Sequence, residues 1–400
     1  MQTSTRLFAL VSVLVLFTAC QVPVAISEQV IRPTSVPTNP PEQQLHPTAV
    51  LPVASPSSTA YLPSLTASLS TPPISISECA IDVHSHLDNI GALNTETTFL
   101  RSAENAIAIM DELGILKELV MPPPFSNNRM SGYEYALFSS VIVTYPNRFG
   151  FLGGGGTLNP ILHGAVQAGR VTPEVEQRFE DQAREIVAAG AAGFGEIAAL
   201  HLSFFEGHPF MEASPDHPLL LLLADIAAET GMPIELHMEA VPQDMAVPKG
   251  LSAPPNAPTL KANIAGLENL LNHNPQAKIV WAHAGWDNTG FRTVDLMHKL
   301  LEKHPNLYMS IKVAPKDNIG DNIPLDLSTG SVKPEWIDLF SQFPDCFVIG
   351  SDVFYGEIDD PRATPFKKVK GAWRVVAGLP VDIAYQIACE NPLMIYRIVP

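Results

Sequence analysis

The residues most able to do chemistry are four histidine or carboxylate positions and one histidine pair. His84 and His86 stand two apart in Asp82-Val-His-Ser-His86. His237, His283, Glu196 and Asp352 each close a short apolar run. On a strand, residues i and i+2 face the same side, so an HxH pair aims both imidazoles at one point. Neutral imidazole and carboxylate suit Zn²⁺, with Ni²⁺, Co²⁺, Mn²⁺ or Fe²⁺ also compatible. A metal that keeps a position open for water lowers that water's pKa toward about 7. A nearby carboxylate can then take its proton and return it to a leaving group. Each piece alone has an ordinary explanation. A single His at a strand end is commonly a hydrogen-bonded core residue, and a single Asp a helix cap. The ensemble, in chain order, is what points to a metal centre.

These residues need elements to bring them together. From residue 79 the sequence alternates short apolar runs with amphipathic segments. Eight runs read as strands: Ala80–His84, Glu118–Met121, Gly150–Leu152, Ala192–Ile197, Pro233–His237, Lys278–His283, Leu307–Lys312 and Phe347–Asp352. Helical patterns lie between them, over Thr98–Leu113, Pro173–Ala189, Leu219–Glu229, Leu260–Asn272, Thr293–Lys303 and Pro334–Phe343. Thr172-Pro173 is a cap followed by Pro at the first helical position. Eight such alternations over about 320 residues predict an α/β fold, the (β/α)₈ TIM barrel. A doubly wound open sheet is the competing architecture. No GxGxxG or P-loop follows any strand, which disfavours it. Gly153-Gly-Gly-Gly156 has no GK[ST] and opens no clear helix, so it reads as a tight loop and not as a phosphate cradle. In a barrel all strand C-termini meet at one mouth, and there the candidate residues would converge.

Two segments precede the barrel, expected over 78–400. Residues 1–20 carry Arg6 and an uncharged apolar run from Leu7 to Phe17, ending in Thr18-Ala19-Cys20. The run is short for a span but suits a signal-peptide core. Residues 21–77 hold eleven Pro and sixteen Ser or Thr, with only Glu28, Arg32 and Glu42 charged. Such a stretch cannot offset its ordering entropy and reads as a disordered Pro/Ser/Thr linker. Residues 1–77 carry no net charge, so the formal −17 of the chain falls on 78–400. An acidic domain repels phosphate backbones, which argues against nucleic-acid binding. Cys79, Cys346 and Cys389 are too dispersed for a disulfide framework and read as buried or half-buried thiols.

The barrel pattern resembles the metal-dependent amidohydrolase superfamily over residues 79–398. It is most similar to the amidohydrolase-related branch that also contains aminocarboxymuconate-semialdehyde decarboxylase. The resemblance rests on Ile81-Asp-Val-His-Ser-His86, Gly231-Met-Pro-Ile-Glu-Leu-His237, Trp281-Ala-His-Ala-Gly285, Gly350-Ser-Asp352 and Glu390-Asn-Pro-Leu-Met-Ile-Tyr396. It implies that His84, His86, His237 and Asp352 hold a divalent metal, zinc in the first place, and that His283 orients or deprotonates the water or binds a second ion. It implies a bridging Glu196 if there are two ions, and a Glu196 that supports the ligands from behind if there is one. It also implies a small-molecule substrate and a metal-dependent hydrolase of C–N or C–O bonds in an amide, cyclic imide or lactone. A metal-dependent decarboxylase of the same branch is the alternative, and a non-catalytic binding lipoprotein a second. Lys312 and Arg362 are the candidate anchors for a substrate carboxylate. Residues 1–20 resemble a bacterial lipoprotein signal, which implies lipidation of Cys20 and an exported, membrane-anchored protein at the bacterial cell envelope.

Overall fold

The computed structural model describes residues 76–87, 95–124, 134–205, 207–252, 255–313, 322–356 and 365–398. Cys20, the expected signal, nearly all of the linker and Arg362 lie outside them.

Eight parallel strands form a closed barrel: β1 (Ile81–Leu87), β2 (Lys117–Val120), β3 (Phe149–Gly154), β4 (Gly193–His201), β5 (Ile234–Met238), β6 (Ile279–Ala284), β7 (Leu307–Ile311) and β8 (Phe347–Ile349). Each strand pairs with the next in sequence. β8 closes the ring by pairing Ile349 with Asp82 of β1. A further strand, Val353–Tyr355, runs parallel to the end of β1. All eight expected strands are present.

Alternation along the strands divides the core. Ile81, Val83, Leu119, Met121, Leu152, Val280 and Val348 form one cluster, completed by Ile395 and Tyr396 near the C-terminus. Their neighbours Val120, Phe149, Phe194, Leu236, Ile279 and Trp281 pack instead with the helix residues Phe99, Leu162, Phe179, Leu223 and Leu270. Burying a large aliphatic or aromatic side chain contributes about 1.5–3 kcal/mol, so this double layer carries the fold.

The helices start and stop where side chains can satisfy their ends. Thr95 and Thr98 form a reciprocal capping box at Glu96–Leu113, and Gly114 ends that helix in the left-handed region. Thr172 caps Pro173–Ala188 and Thr293 caps Val294–Lys303. Leu158–Ala168, Pro365–Ala377 and three shorter helices are present beyond those the sequence predicts. The tetraglycine run does therefore lead into a helix. Its amides are nonetheless not available to a phosphate: Glu134 accepts from Gly154 N (3.0 Å), Gly156 N (3.2 Å) and the Thr157 hydroxyl (2.8 Å).

The cysteine expectation is corrected. Cys79, just before β1, forms a disulfide with Cys389, leaving Cys346 as a half-buried thiol. Sequence separation of 310 residues hid the pair. Barrel closure puts the first strand beside the C-terminal helices, with Cα atoms 5.3 Å apart, inside the range a bridge accepts.

Candidate metal centre

The candidate residues do converge. His84, His86, Glu196, His237, His283 and Asp352 are 0–8% exposed. His86, His237, His283 and Asp352 lie at or just beyond the C-terminal ends of β1, β5, β6 and β8, whereas Glu196 does not end its strand as expected: it is the fourth of nine residues in β4, and His84 is the fourth of seven in β1. Glu196 is central, and its two oxygens face opposite ways. Oε2 lies 3.6 Å from His84 Nε2 and 3.7 Å from His86 Nε2. Oε1 lies 3.0 Å from His283 Nε2 and contacts His237 Nδ1, with His283 Nε2 in turn 3.1 Å from His237 Nδ1. Among the described residues, two groups therefore bring their donor atoms within 4.8 Å of one another: His84–His86–Glu196 and Glu196–His237–His283. Asp352 stands beside the first, its Oδ1 3.1 Å from His86 Nε2 and 3.7 Å from His84 Nε2.

Local backbone explains how these groups reach one point. Asn159 donates to Glu196 O (2.7 Å) and accepts from Ala198 N (2.9 Å), clamping β4 on both sides of Ile197. Asp82 accepts from His84 N (3.2 Å) and Ser351 N (3.1 Å), tying the HxH strand to the strand end that carries Asp352. His283 (φ 72°) and Asp352 (φ 52°) are the two non-glycine residues with left-handed backbone among those described. That conformation costs on the order of 1–3 kcal/mol and persists only where the surroundings impose it, typically at functional sites. Gly350 must be glycine. A Cβ there would sit 2.6 Å from Ser310 Cβ and 3.0 Å from His84 Cβ.

The electrostatics suit a cation. Burial opposes the charge on Glu196, but the His237 and His84 imidazoles outweigh it and hold the carboxyl well below its usual range. Burial likewise opposes the charge on Asp352, and Lys312 and His283 overcome it. Burial, reinforced by Lys312, holds His283 well below the usual imidazole range. His84 goes the other way: burial favours the neutral ring, yet Glu196, Glu235 and Asp352 pull its pKa upward. The buried nitrogen and carboxylate atoms around Glu196, 3.0–3.7 Å apart at His283, His84 and His86, are donors of the kind that could hold a metal ion. His84 Nε2 makes the point, since it is buried and has no hydrogen-bond partner. Unpaired buried polar atoms are rare and call for an explanation. Three imidazole or carboxylate donors around a shared Glu, with a free ring nitrogen, fit a divalent metal.

Lys312, a candidate anchor for a substrate carboxylate, is already engaged within the site. It is 5% exposed, ion-paired with Asp352, and its Nζ sits 3.4 Å from the Trp286 ring centroid. The loop 242–258 is tied down where described. It carries a two-stranded ribbon, Met245–Ala246 with Thr259–Leu260, and Asn256 bonds both Ser203 N and Ser203 O at 2.8 Å. His217 accepts from Leu219 N (3.3 Å) as a helix cap. His208 does lie near the site. It packs with His201 and Phe205 at ring-centroid distances of 4.7 Å. Burial, with His237 nearby, pushes its pKa down to about 4.

Sequence reading passed over Glu235, Trp286, His201 and Ser310. Trp286 packs edge-on to His283, with centroids 5.5 Å apart. Glu235 had a usable signal, lying two residues before His237 on the same strand and hence on the same face.

No family model matches the chain, and no curated protein matches it. Solved structures are similar in fold. A probable 2-pyrone-4,6-dicarboxylic acid hydrolase from Acinetobacter baumannii, with citric acid bound, aligns at 14% identity and a TM-score of 0.47, over 80% of this chain and 100% of that one. A 2,6-dihydroxybenzoate decarboxylase from Rhizobium aligns at 11% identity and 0.45, over 78% and 97%. Amidohydrolase 2 from Bifidobacterium longum subsp. infantis aligns at 12% and 0.39, over 80% and 99%.

Proposed function

We propose that this chain is a metal-dependent hydrolase of the amidohydrolase type, acting on a C–N or C–O bond of a small organic substrate such as an amide, cyclic imide or lactone. The observation that carries the reading is Glu196, whose two oxygens serve two buried donor groups at once. His84, His86 and Glu196, with Asp352 beside them, would hold one divalent ion, and Glu196, His237 and His283 a second. Zinc is the first choice for such a donor set. A divalent ion in that position supplies Lewis acidity to water and to a substrate oxygen.

The protein groups have separable tasks. Asp352 takes the proton of the attacking water and returns it to the leaving group. Its pairing with Lys312 keeps it ionised for that purpose. His283 is held neutral, so it can accept a hydrogen bond or bind an ion. Trp286, Phe204 and His208 form a chain of ring contacts that begins at His283.

A second reading, decarboxylation, is favoured by one observation. Lys312 places a buried cation against Asp352, where a substrate carboxylate could compete for it. The third, a binding lipoprotein without catalysis, gains nothing from a site whose ligand positions are filled. We further read the chain as exported and lipid-anchored at the bacterial cell envelope through Cys20. The Cys79–Cys389 disulfide supports export, because such bridges persist in oxidising compartments.

The test has two parts. The purified protein is analysed for metal and screened on lactones, amides and cyclic imides, with CO₂ measured alongside. Glu196→Gln should lower the metal content from about two per chain toward one. A protein holding one tight metal under metal-replete conditions excludes the bridge. Release of CO₂ without hydrolysis would replace the first reading with the second.

A further inference from the structure

A carboxylate lies directly behind the first histidine of the pair. Glu235 is completely buried. Its Oε1 accepts from His84 Nδ1 (3.1 Å) and from the Ser310 hydroxyl (2.6 Å), and its Oε2 from the Tyr396 hydroxyl. Three donors from β1, β7 and the C-terminal segment thus meet on one side chain of β5.

A buried carboxylate is costly unless it is paired. Among the described residues, the one ion-pair contact of Glu235 is with His84. An apolar side chain of similar size would be cheaper at this place in the barrel, so the carboxylate needs a reason. The geometry supplies one. Two hydroxyl donors hold the carboxylate still, and it can only accept from the ring. With Glu235 accepting at Nδ1, a neutral His84 ring carries its proton there, which leaves the Nε2 lone pair directed at Glu196 and Asp352. That Nε2 is the buried atom without a hydrogen-bond partner. His86 is backed differently, by the neutral carbonyl of Met121 at 2.8 Å.

We propose that Glu235 is a positioning residue of the metal centre. It fixes the ring orientation and tautomer of His84 and strengthens it as a ligand, with Ser310 and Tyr396 as the clamps that hold Glu235. The inference rests on the metal-site reading above. A carboxylate behind a ligating imidazole raises its basicity, and loss of such a partner typically weakens metal binding by about 10–100-fold.

The probe is Co²⁺, titrated into the chelator-stripped full chain by calorimetry, with the visible absorption of the bound ion recorded. Glu235→Gln keeps the shape and removes the charge. It should weaken the tighter Co²⁺ site by about 10–100-fold and change its absorption bands. Tyr396→Phe removes one clamp and should act in the same direction, by about threefold or more. The control is Glu118→Gln. Glu118 is another fully buried glutamate held by a tyrosine (Tyr355, 2.6 Å), but it touches no candidate ligand side chain. It should leave Co²⁺ affinity within about threefold. If Glu235→Gln and Tyr396→Phe bind Co²⁺ as the unaltered protein does, or if Glu118→Gln weakens binding equally, the assignment is wrong. If the unaltered protein binds no Co²⁺, the metal-site reading fails and takes this inference with it.

Discussion

The Cys79–Cys389 bridge gives a stability that can be worked out in advance. It closes a loop of 310 residues. In the chain-entropy model that removes roughly 19 cal/mol/K from the unfolded ensemble, or about 5.7 kcal/mol at 25 °C. Real unfolded chains are already partly compact, so about 3–5 kcal/mol is the expected effect. Near the midpoint, a domain of roughly 320 residues unfolds with about 0.7 kcal/mol/K, so a loss of 4 kcal/mol lowers Tm by about 6 °C. The assay is equilibrium urea denaturation of the unaltered protein, oxidised and reduced, beside the Cys79→Ser/Cys389→Ser double variant. Non-reducing peptide mapping should recover the Cys79 and Cys389 peptides linked. The bridge precedes β1 at the end away from His84 and His86, so metal content should survive its loss at 25 °C. Coincident denaturation midpoints for the oxidised protein and the double variant would refute the reasoning. Peptide maps with both thiols free would remove the bridge itself.

Three further outcomes are expected. Asp352→Asn, which keeps the shape but cannot accept a proton, should lower kcat by about 10²–10⁴-fold on whichever substrate the screen finds; near-normal turnover would sink the proposed role. Burial, with Asp82 close by, pushes the Glu118 carboxyl from its ordinary 4.5 up to about 8. A raised acid binds a proton in the folded state that the unfolded chain releases, so its contribution is complete below pH 4.5 and lost as pH rises through about 8. Urea midpoints of the unaltered protein should fall across that window by the equivalent of about 3–5 kcal/mol relative to Glu118→Gln, and parallel pH profiles would contradict the assignment. Cys20→Ser should release the chain from the membrane fraction, and equal membrane association of the variant would rule out lipidation at that position.

Much of the barrel was legible because its signals are local. Each strand is a short apolar run, and several helices announce themselves through a Thr cap, a Pro at the first turn or a glycine at the end. The convergence of His84, His86, Glu196, His237, His283 and Asp352 was equally legible, since a barrel sets its strands side by side whatever the loops do; that β4 runs on five residues past Glu196 to His201 was not. Helix Leu158–Ala168 was missed because its buried face includes Asn159 and His163, polar residues whose partners, the β4 backbone at Glu196 and Ala198, are distant in sequence.

What the tertiary structure alone decided are the pairings. Cys79 and Cys389 are unremarkable thiols until barrel closure sets them side by side. Lys312 looks like a spare surface charge until β7 and β8 lie next to each other and Asp352 takes it. Glu235 looks like one polar residue in an apolar strand until β1, β7 and Tyr396 close around it. Periodicity tells which face of a strand a residue occupies, since that depends on its immediate neighbours. It cannot tell which side chains meet across the barrel, because that depends on ring closure and on a register summed over hundreds of residues.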